Sequence, residues 1–290
     1  MPSLKDIRRR IASVKNTQKI TKSMKMVSAA KLRRAEDAAR RSRPYAGQLS
    51  STLAQLIGGL GEDAHPLLAR RPVVKSEWLV VTSDRGLCGG FNGNLLRQVE
   101  RELRDQLARE LEPTVWVVGK KARDYFGRRA YPVRGESIGF SGAPAHADAA
   151  ELAKTAIGRF LAGEVDEISI VYNEFVSAMV QRPRIERLLP LVHEPEEDAV
   201  PNLMEPLFEP SRAEMLAVLL PRQVESRIYH ALLESAAAEH AARMAAMESA
   251  TSNASEMIES LTLQFNKARQ AAITKELMEI VGGAEALSST

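Results

Sequence analysis

The stretch of this chain that most invites a chemical reading is Ser83-Asp84-Arg85-Gly86-Leu87-Cys88-Gly89-Gly90-Phe91-Asn92-Gly93. Its four glycines follow an apolar run and precede a helical pattern, which is where phosphate and dinucleotide loops sit. The spacing fits neither standard form: no Gly-Lys-Ser/Thr follows, and Gly86, Gly89, Gly90 and Gly93 do not make G-x-G-x-x-G. Glycines required for a tight turn and close helix packing account for the stretch better. Cys88 has no histidine nearby in sequence to activate it and reads as a small buried packing residue. The acids around it offer no convincing pair, because Asp166, Glu167 and Glu174 fall at the ends of a strand, where solvated charge is common. His65, His146, His193, His230 and His240 show no ligand spacing with one another or with Cys88, so no metal site is expected. Nothing assembles a nucleophile, a base and an orienting group, and the chain is expected to carry no catalytic residue and no cofactor.

The element that would position the glycine turn is a small α/β domain. Trp78-Leu79-Val80-Val81-Thr82 predicts a strand, and 94–111 a helix. Val115-Trp116-Val117-Val118 predicts a second strand leading into a helix over 120–126. Residues 132–144 read as irregular, 147–162 as helix and Ile168-Ser169-Ile170-Val171-Tyr172 as strand. Residues 184–188 read as an edge strand bounded by Pro183 and Pro190. This alternation predicts a Rossmann-like domain with a mostly parallel sheet. Residues 192–210, with Pro195, Pro201, Pro206 and Pro210, read as a linker.

Two long helical stretches flank that domain. Residues 222–281 contain neither Pro nor Gly. Within them Met244, Met247, Thr251, Ala254, Ile258, Leu261, Phe265, Ala268, Ala272 and Lys275 alternate three and four apart, as in a coiled-coil seam. A helix of this length reaches roughly 90 Å at 1.5 Å per residue, too long to be buried in one small core. Met244, Met247 and Met257 are expected in a core or seam; Asn266 to Gln270 could be a recognition patch or a solvated face, which periodicity cannot separate. Residues 3–43 form a second Pro- and Gly-free stretch, about 60 Å long as a helix. Its stripe of Leu4, Ile7, Ile11 and Val14 slips in phase to Ile20, Met24 and Val27, which implies a local change in winding. Pro44 is expected to end or kink it, with a further apolar section stopping at Gly58, Gly59 and Gly61. The fold class expected is therefore an α/β insert between two long terminal helices that form an antiparallel coiled coil. Its parts are 1–60, 70–200 and 208–290.

Charge is unevenly spread. Residues 1–43 hold six Lys and eight Arg against Asp6, Glu36 and Asp37, a net of +11, whereas 222–290 carry six basic and nine acidic residues. The balance favours pairing of the two helices. A basic end fits nucleic acid, a membrane surface or an acidic protein partner equally, although no aromatic residues interleave with the basic face as nucleic-acid stacking would require. No apolar run approaches the ~18 to 20 residues that cross a bilayer. The Arg-rich, acid-poor start also has the pattern of a mitochondrial transit peptide, but the pattern persists past residue 40, which favours a mature helix with one wet basic face. A single cysteine excludes an internal disulfide and suggests a reducing compartment.

Particular residues give the chain a family. Ile273-Thr274-Lys275-Glu276-Leu277-Met278-Glu279-Ile280-Val281-Gly282-Gly283-Ala284-Glu285-Ala286 closely resembles the C-terminal signature of the F-type ATP synthase gamma subunits. The resemblance extends to Lys5-Asp6-Ile7-Arg8, to residues 11–22 and 25–31, to 83–92, and to Tyr172-Asn173-Glu174-Phe175, so it covers essentially the whole chain.

The resemblance implies a rotor shaft. In that family the terminal helices stand inside a ring of three alpha and three beta subunits, and the α/β insert forms a foot with epsilon on the membrane ring of c subunits. Nucleotides bind to alpha and beta; rotation driven by ion (proton) flow forces each beta site through different affinities and so drives ATP synthesis, while hydrolysis reverses it. By resemblance, Arg269, Gln270 and Thr274 contact loops of beta, and Lys22, Met24, Lys25 and Arg33 lie near its acidic lever. The glycine turn is then a structural turn of the foot. Thr251 is expected to fix register, and Lys275 to fall where the last helix outruns its partner, the helix ending at Gly282-Gly283-Ala284. The family pattern starts within five residues, so no presequence is expected. With Cys88 alone the thiol switch of chloroplast relatives is excluded, which implies a bacterial subunit, peripheral on the cytoplasmic side of the inner membrane. No nucleic-acid partner is expected. The competing reading is a coiled-coil adaptor whose α/β insert binds a regulatory nucleotide.

Overall fold

In a computed structural model the described residues are 3–58, 64–191, 209 and 211–288, with side chains described as far as 281. The linker expected at 192–210 and the stop at Gly59 and Gly61 therefore lie, Glu209 apart, outside the described residues. The chain divides into two compact units, Met1–Val27 with Met244–Thr290, and Ser28–Arg243. Helices α1 (Leu4–Ile57) and α5 (Arg212–Ser288) contribute to both.

In the 28–243 unit a five-stranded sheet is built from β1 (Lys75–Val81), β2 (Glu112–Val118), β3 (Val133–Ser137), β4 (Glu167–Phe175) and β5 (Gln181–Leu189). Helices α2 (Phe91–Ala108), α3 (Lys120–Phe126) and α4 (His146–Leu161) connect them. The spatial order is β3-β2-β1-β4-β5; the first four strands run parallel and β5 is antiparallel. Strand β1 is central and buried on both faces, which is why it reads as an unbroken apolar run. Trp78 and Val80 meet Leu95, Val99 and Phe126 of α2 and α3 on one side. Leu79 and Val81 meet α4 on the other, together with Leu49, Leu53 and Leu56 of α1 and Leu220, Val224 and Ile228 of α5.

Three local expectations change. The region read as irregular contains β3. Pro132 and Gly135 disguise it, and Gly135 is there because the Trp116 ring lies over it; a Cβ would come within 2.5 Å of that ring. Strand β5 starts ahead of Pro183, which the edge position tolerates because its missing N–H would face outward. Helix α1 does not end at Pro44, and α5 likewise runs through Pro221. Pro44 is exposed, so the carbonyl it leaves unpaired can reach water, and burial of Leu49, Leu53 and Leu56 one to three turns on offsets a cost of about 3 kcal/mol.

In the other unit, α1 and α5 pair antiparallel. Gln18 Nε2 donates to Ser255 Oγ at 2.7 Å, the Thr21 and Thr251 hydroxyls share a 2.7 Å hydrogen bond, and Lys25 pairs with Glu248. The Arg8 guanidinium stacks 5.5 Å from the Phe265 ring centroid. Advance along one helix is matched by retreat along the other, so a single register runs the length of the pair. On α5 the expected seam is observed: the positions from Met244 to Ala272 named above are all buried or half-buried. Lys275 is exposed, as are all residues from 273 to 281. Met257 is exposed and lies off the seam. On α1 the seam continues from Val14 through Gln18 and Thr21 to Ser28, and Ile20 (60 % exposed) and Val27 (56 % exposed) face outward. No slip of the stripe occurs; polar residues take the seam positions. Helix α5 also continues through Gly282-Gly283-Ala284 to Ser288.

Candidate functional site

The glycine turn lies where an open α/β sheet offers its crevice. Strand order reverses between β1 and β4, and the turn leaves the carboxyl end of β1. What faces the turn is a cation. Arg243 of α5 donates from Nε to Gly86 O at 3.3 Å and from Nη2 to Arg85 O and Gly86 O at 3.2 Å, and its Nη1 lies 2.8 Å from Glu239. A phosphate loop turns N–H groups inward, whereas here the backbone presents carbonyls to a guanidinium. Cys88 and Phe91 pack against Ala238 and Ala242 of α5, so the helix lies on the turn.

Further bonds hold the turn. Asn92 Oδ1 accepts from Ser83 N at 3.0 Å, and Cys88 is buried beside Ser83 and Asn92. Burial pushes the Cys88 thiol up, so it is poorly disposed to act as a nucleophile. Asp84 accepts from Gly139 N, Ser141 N and Lys120 N at 3.0 to 3.2 Å. Partial burial works to raise its pKa, but those hydrogen bonds outweigh it and hold the carboxyl below its ordinary value. Next to it, Ser141 Oγ donates to Glu239 at 3.4 Å, and His240 Nε2 donates to Gly142 O at 2.8 Å. The carbonyl can only accept, which puts the His240 proton on Nε2; burial depresses this imidazole's pKa. Glu234, buried one helical stretch earlier, accepts from Phe175 N at the end of β4 at 3.1 Å. Among the described residues no group of three or more His, Cys, Asp or Glu could hold a metal ion. The arrangement fastens a helix to the end of a sheet.

A family model described as ATP synthase matches residues 3–287. The gamma chain of an Anaeromyxobacter species (strain K) is 53 % identical over 290 residues, covering 99 % of this chain and all of that one. That of Pelotomaculum thermopropionicum is 49 % identical over 287 residues, again covering 99 % and 100 %. The chain belongs to the ATP synthase gamma chain family. Its fold is also that of chains in solved ATP synthase structures. A chain of the Euglena gracilis mitochondrial ATP synthase (OSCP/F1/c-ring, rotational state 3) matches with a TM-score of 0.72 at 22 % identity, covering 98 % of this chain and 94 % of that one. A chain of the Tetrahymena thermophila mitochondrial ATP synthase central stalk/c-ring matches at 0.61 and 22 %, covering 80 % and 99 %.

For a gamma chain the surfaces matter more than any pocket, and the residues expected at them fall in separate places. Lys22 is exposed on α1, with Met24 and Lys25 beside it and half-buried; Lys25 is engaged by Glu248. Arg269, Gln270 and Thr274 are all exposed on α5. The antiparallel register puts them at the opposite end of the two-helix pair from Lys25, level with and beyond the start of α1. Arg33 is exposed on α1 in the other unit. Sequence reasoning missed Asp84, Glu234, Glu239 and Arg243. A signal for the last three was present: residues 231–243 are alanine-rich and buried on every side, so the few charges among them must be paired inside the protein.

Proposed function

We propose that this chain is the central rotor shaft of an F-type ATP synthase, coupling ion (proton) translocation through the membrane sector to ATP synthesis from ADP and phosphate at beta-subunit sites. The observation that carries the reading is the identity with bacterial gamma chains over 99 % of the chain, which takes in both end helices and the sheet together. On this reading the chain is a non-catalytic subunit. Its partners are three alpha and three beta subunits, epsilon and the ring of c subunits. The paired helices of 1–60 and 208–290 serve as the shaft and 70–200 as the foot.

Lys22, Met24, Lys25 and Arg33 then work as contacts with the acidic lever of beta, and Arg269, Gln270 and Thr274 as contacts with beta loops further up. Exposure of Lys22, Arg33, Arg269, Gln270 and Thr274 supports a sliding surface over a binding site. Rotation against a ring demands contacts without a deep well at any one angle, which long, screened, solvent-exposed side chains provide. The complex would sit peripherally on the cytoplasmic side of the inner membrane; no helix among the described residues is long and apolar enough to cross one.

Expression of the chain with its partner subunits tests this directly. A stoichiometric complex with alpha, beta and epsilon is expected, with ATP turnover by the complex and none by the purified chain alone. Turnover by the chain alone would sink the rotor reading, and so would specific ATP binding at 86–93. Removal of α5 beyond residue 268 should leave nucleotide binding to the assembled complex intact while uncoupling hydrolysis from ion pumping.

A further inference from the structure

In the 28–243 unit a half-open cleft of about 220 Å³ lies between α1, α5 and the 142–144 loop. Its walls are apolar: Ala35 and Ala38 of α1, Leu233 and Ala236 of α5, and Pro144. The loop is fixed from behind, because Gly142 O is taken by His240 Nε2 and the Ser141 backbone N–H by Asp84. Lys31 and Arg34 line the same cleft. They are three residues apart on α1, so they share a face, and neither makes an ion pair among the described residues.

We propose that this cleft binds a small organic monocarboxylate, a single-ring aryl acid or a short branched alkyl acid. The apolar body enters between the helices and the carboxylate meets Lys31 and Arg34 at the rim. The size sets the body: a cavity of about 150 Å³ holds benzene, so this one holds a ring and a short linker but not a nucleotide. The side chains between the helices are apolar, so a charged group pushed in among them would lose its hydration without replacement, which keeps it at the edge beside Lys31 and Arg34. The two exposed cations supply the complementary charge without themselves having to be desolvated. A neutral ligand gains nothing from them, and an amine is repelled.

The test uses the full chain with 3-phenylpropionate and its uncharged amide as probes, titrated by ligand-observed NMR. The carboxylate is expected to bind about fivefold to tenfold more tightly than the amide, the scale of two exposed charge contacts. Raising the salt to about 0.5 M should shrink that gap, since exposed charges are screened over a few ångströms there. The double change Lys31→Gln and Arg34→Gln should bring the carboxylate down to the amide's affinity and leave the amide unchanged. Ala38→Leu should weaken both, and Arg40→Gln, a charge-matched change away from the cleft, should weaken neither. Equal binding of the two probes, or a carboxylate preference that survives the double change, overturns the proposal. If Ala38→Leu alters the fold, seen as lost helical circular dichroism, the charge variants alone decide. None of these outcomes depends on the rotor reading, which stands or falls on assembly with partner subunits.

Discussion

Helix α5 leads two different lives. Across residues 231–243 every position is buried, and the helix is covered on all sides within the sheet unit. From Met244 to Ala272 only the seam positions and a few neighbours escape solvent, and beyond 272 every described side chain is exposed. The first stretch uses alanine to let other backbone come close and carries its charges in closed networks. The second uses larger residues in a single file and leaves its charges wet. A helix embedded in this way is fixed in rotation about its own axis, whereas one held by a single seam is fixed only against its partner. On the proposed rotor reading, that difference suits a part gripped by the sheet unit at one place and turning within other subunits at another.

The largest contrast should come from charge. Glu77 is buried in β1 and paired with Arg159, which also reaches Glu164 at 3.1 Å. Glu77→Ala leaves the mostly buried guanidinium with only the exposed Glu164 as partner, so the loss should fall toward the lower end of the about 3 to 5 kcal/mol that breaking a buried pair costs. Urea denaturation should register it as a clear drop in midpoint, and an unchanged midpoint would mean water already solvates the pair. Apolar truncation gives the next contrast. Ile228 is fully buried against the sheet while Ile258 is half-buried in the seam. Ile228→Ala should cost about 3 kcal/mol and Ile258→Ala about 1 kcal/mol, since the second removes less buried area and leaves a site open to water. Equal losses would erase the distinction between the two stretches.

Acid should weaken the sheet unit selectively. His240 is packed among Glu239, Arg243 and Lys31, and burial holds its pKa below the ordinary 6.5. On acidification the unfolded chain takes up this proton first, so stability is complete above about pH 6.5 and declines as the pH falls toward the depressed folded value. Asp84 acts in the same direction at lower pH. Its folded pKa is held below 3.8, so its contribution is present above that value and is lost as the pH falls through the folded one. Amide hydrogen exchange followed from pH 7 downward should show protection in the 139–144 loop and residues 238–243 falling before that of residues 251–265. His240→Gln should remove the earlier part of the decline, and a variant with an unaltered profile would rule the imidazole out as its source.

Much of this was legible in the sequence, for reasons that can be named. Trp78 to Val81 had to be a central strand because both of its faces are apolar, and the α5 seam was visible because its members are apolar or small at a strict three-four spacing. Strand β3 was hidden because the reason for Gly135 is a tryptophan on a neighbouring strand, a long-range fact. The α1 seam is hidden for a related reason: half-buried Gln18 and buried Thr21 are polar, and they sit in the seam because α5 supplies Ser255 and Thr251 opposite. A hydrophobic pattern counts Ile20 and Val27 and cannot see the partner. The glycine turn was ambiguous on composition alone, and it was the direction of its carbonyls, fixed by Arg243, that told a clasp from a phosphate loop. The family contacts at Lys22, Arg33 and Arg269 rest on likeness, since an exposed side chain in an isolated chain carries no mark of what it meets.

Within the seam the expected effects are smaller. The Thr21 hydroxyl bridges to Thr251, and each also lies within hydrogen-bonding distance of a carbonyl of its own helix, Gln18 O at 3.1 Å and Met247 O at 2.7 Å. Thr21→Val keeps the shape and removes the bridge, and should cost about 1 kcal/mol because Thr251 retains Met247 O as acceptor. The register itself can be checked with cysteines at 21 and 251, which should oxidise to a disulfide, whereas a cysteine at 20, facing outward, should not pair with one at 251. Crosslinking from position 20 instead would mean that the outward placement of Ile20 is wrong.

The smallest effect should come from the charge pair at the end of this seam. Lys25 and Glu248 are in contact, yet their side chains are 41 % and 58 % exposed. Water and salt screen such a pair, and holding two long side chains in one geometry costs entropy, so Lys25→Ala should change stability by less than about 1 kcal/mol. A double-mutant cycle with Glu248→Ala isolates the coupling, which should fall further in about 0.5 M salt. The contrast with Glu77 and Arg159 is the point of the measurement, because a cation meets a carboxylate in both places, an exposed ammonium in one and a buried guanidinium in the other. If Lys25→Ala proved as damaging as Glu77→Ala, the seam would have to be treated as a closed core. If it changed nothing in the isolated chain but altered coupling in the assembled complex, Lys25 would be held in place for a partner, with Glu248 keeping its cation aimed until that partner arrives.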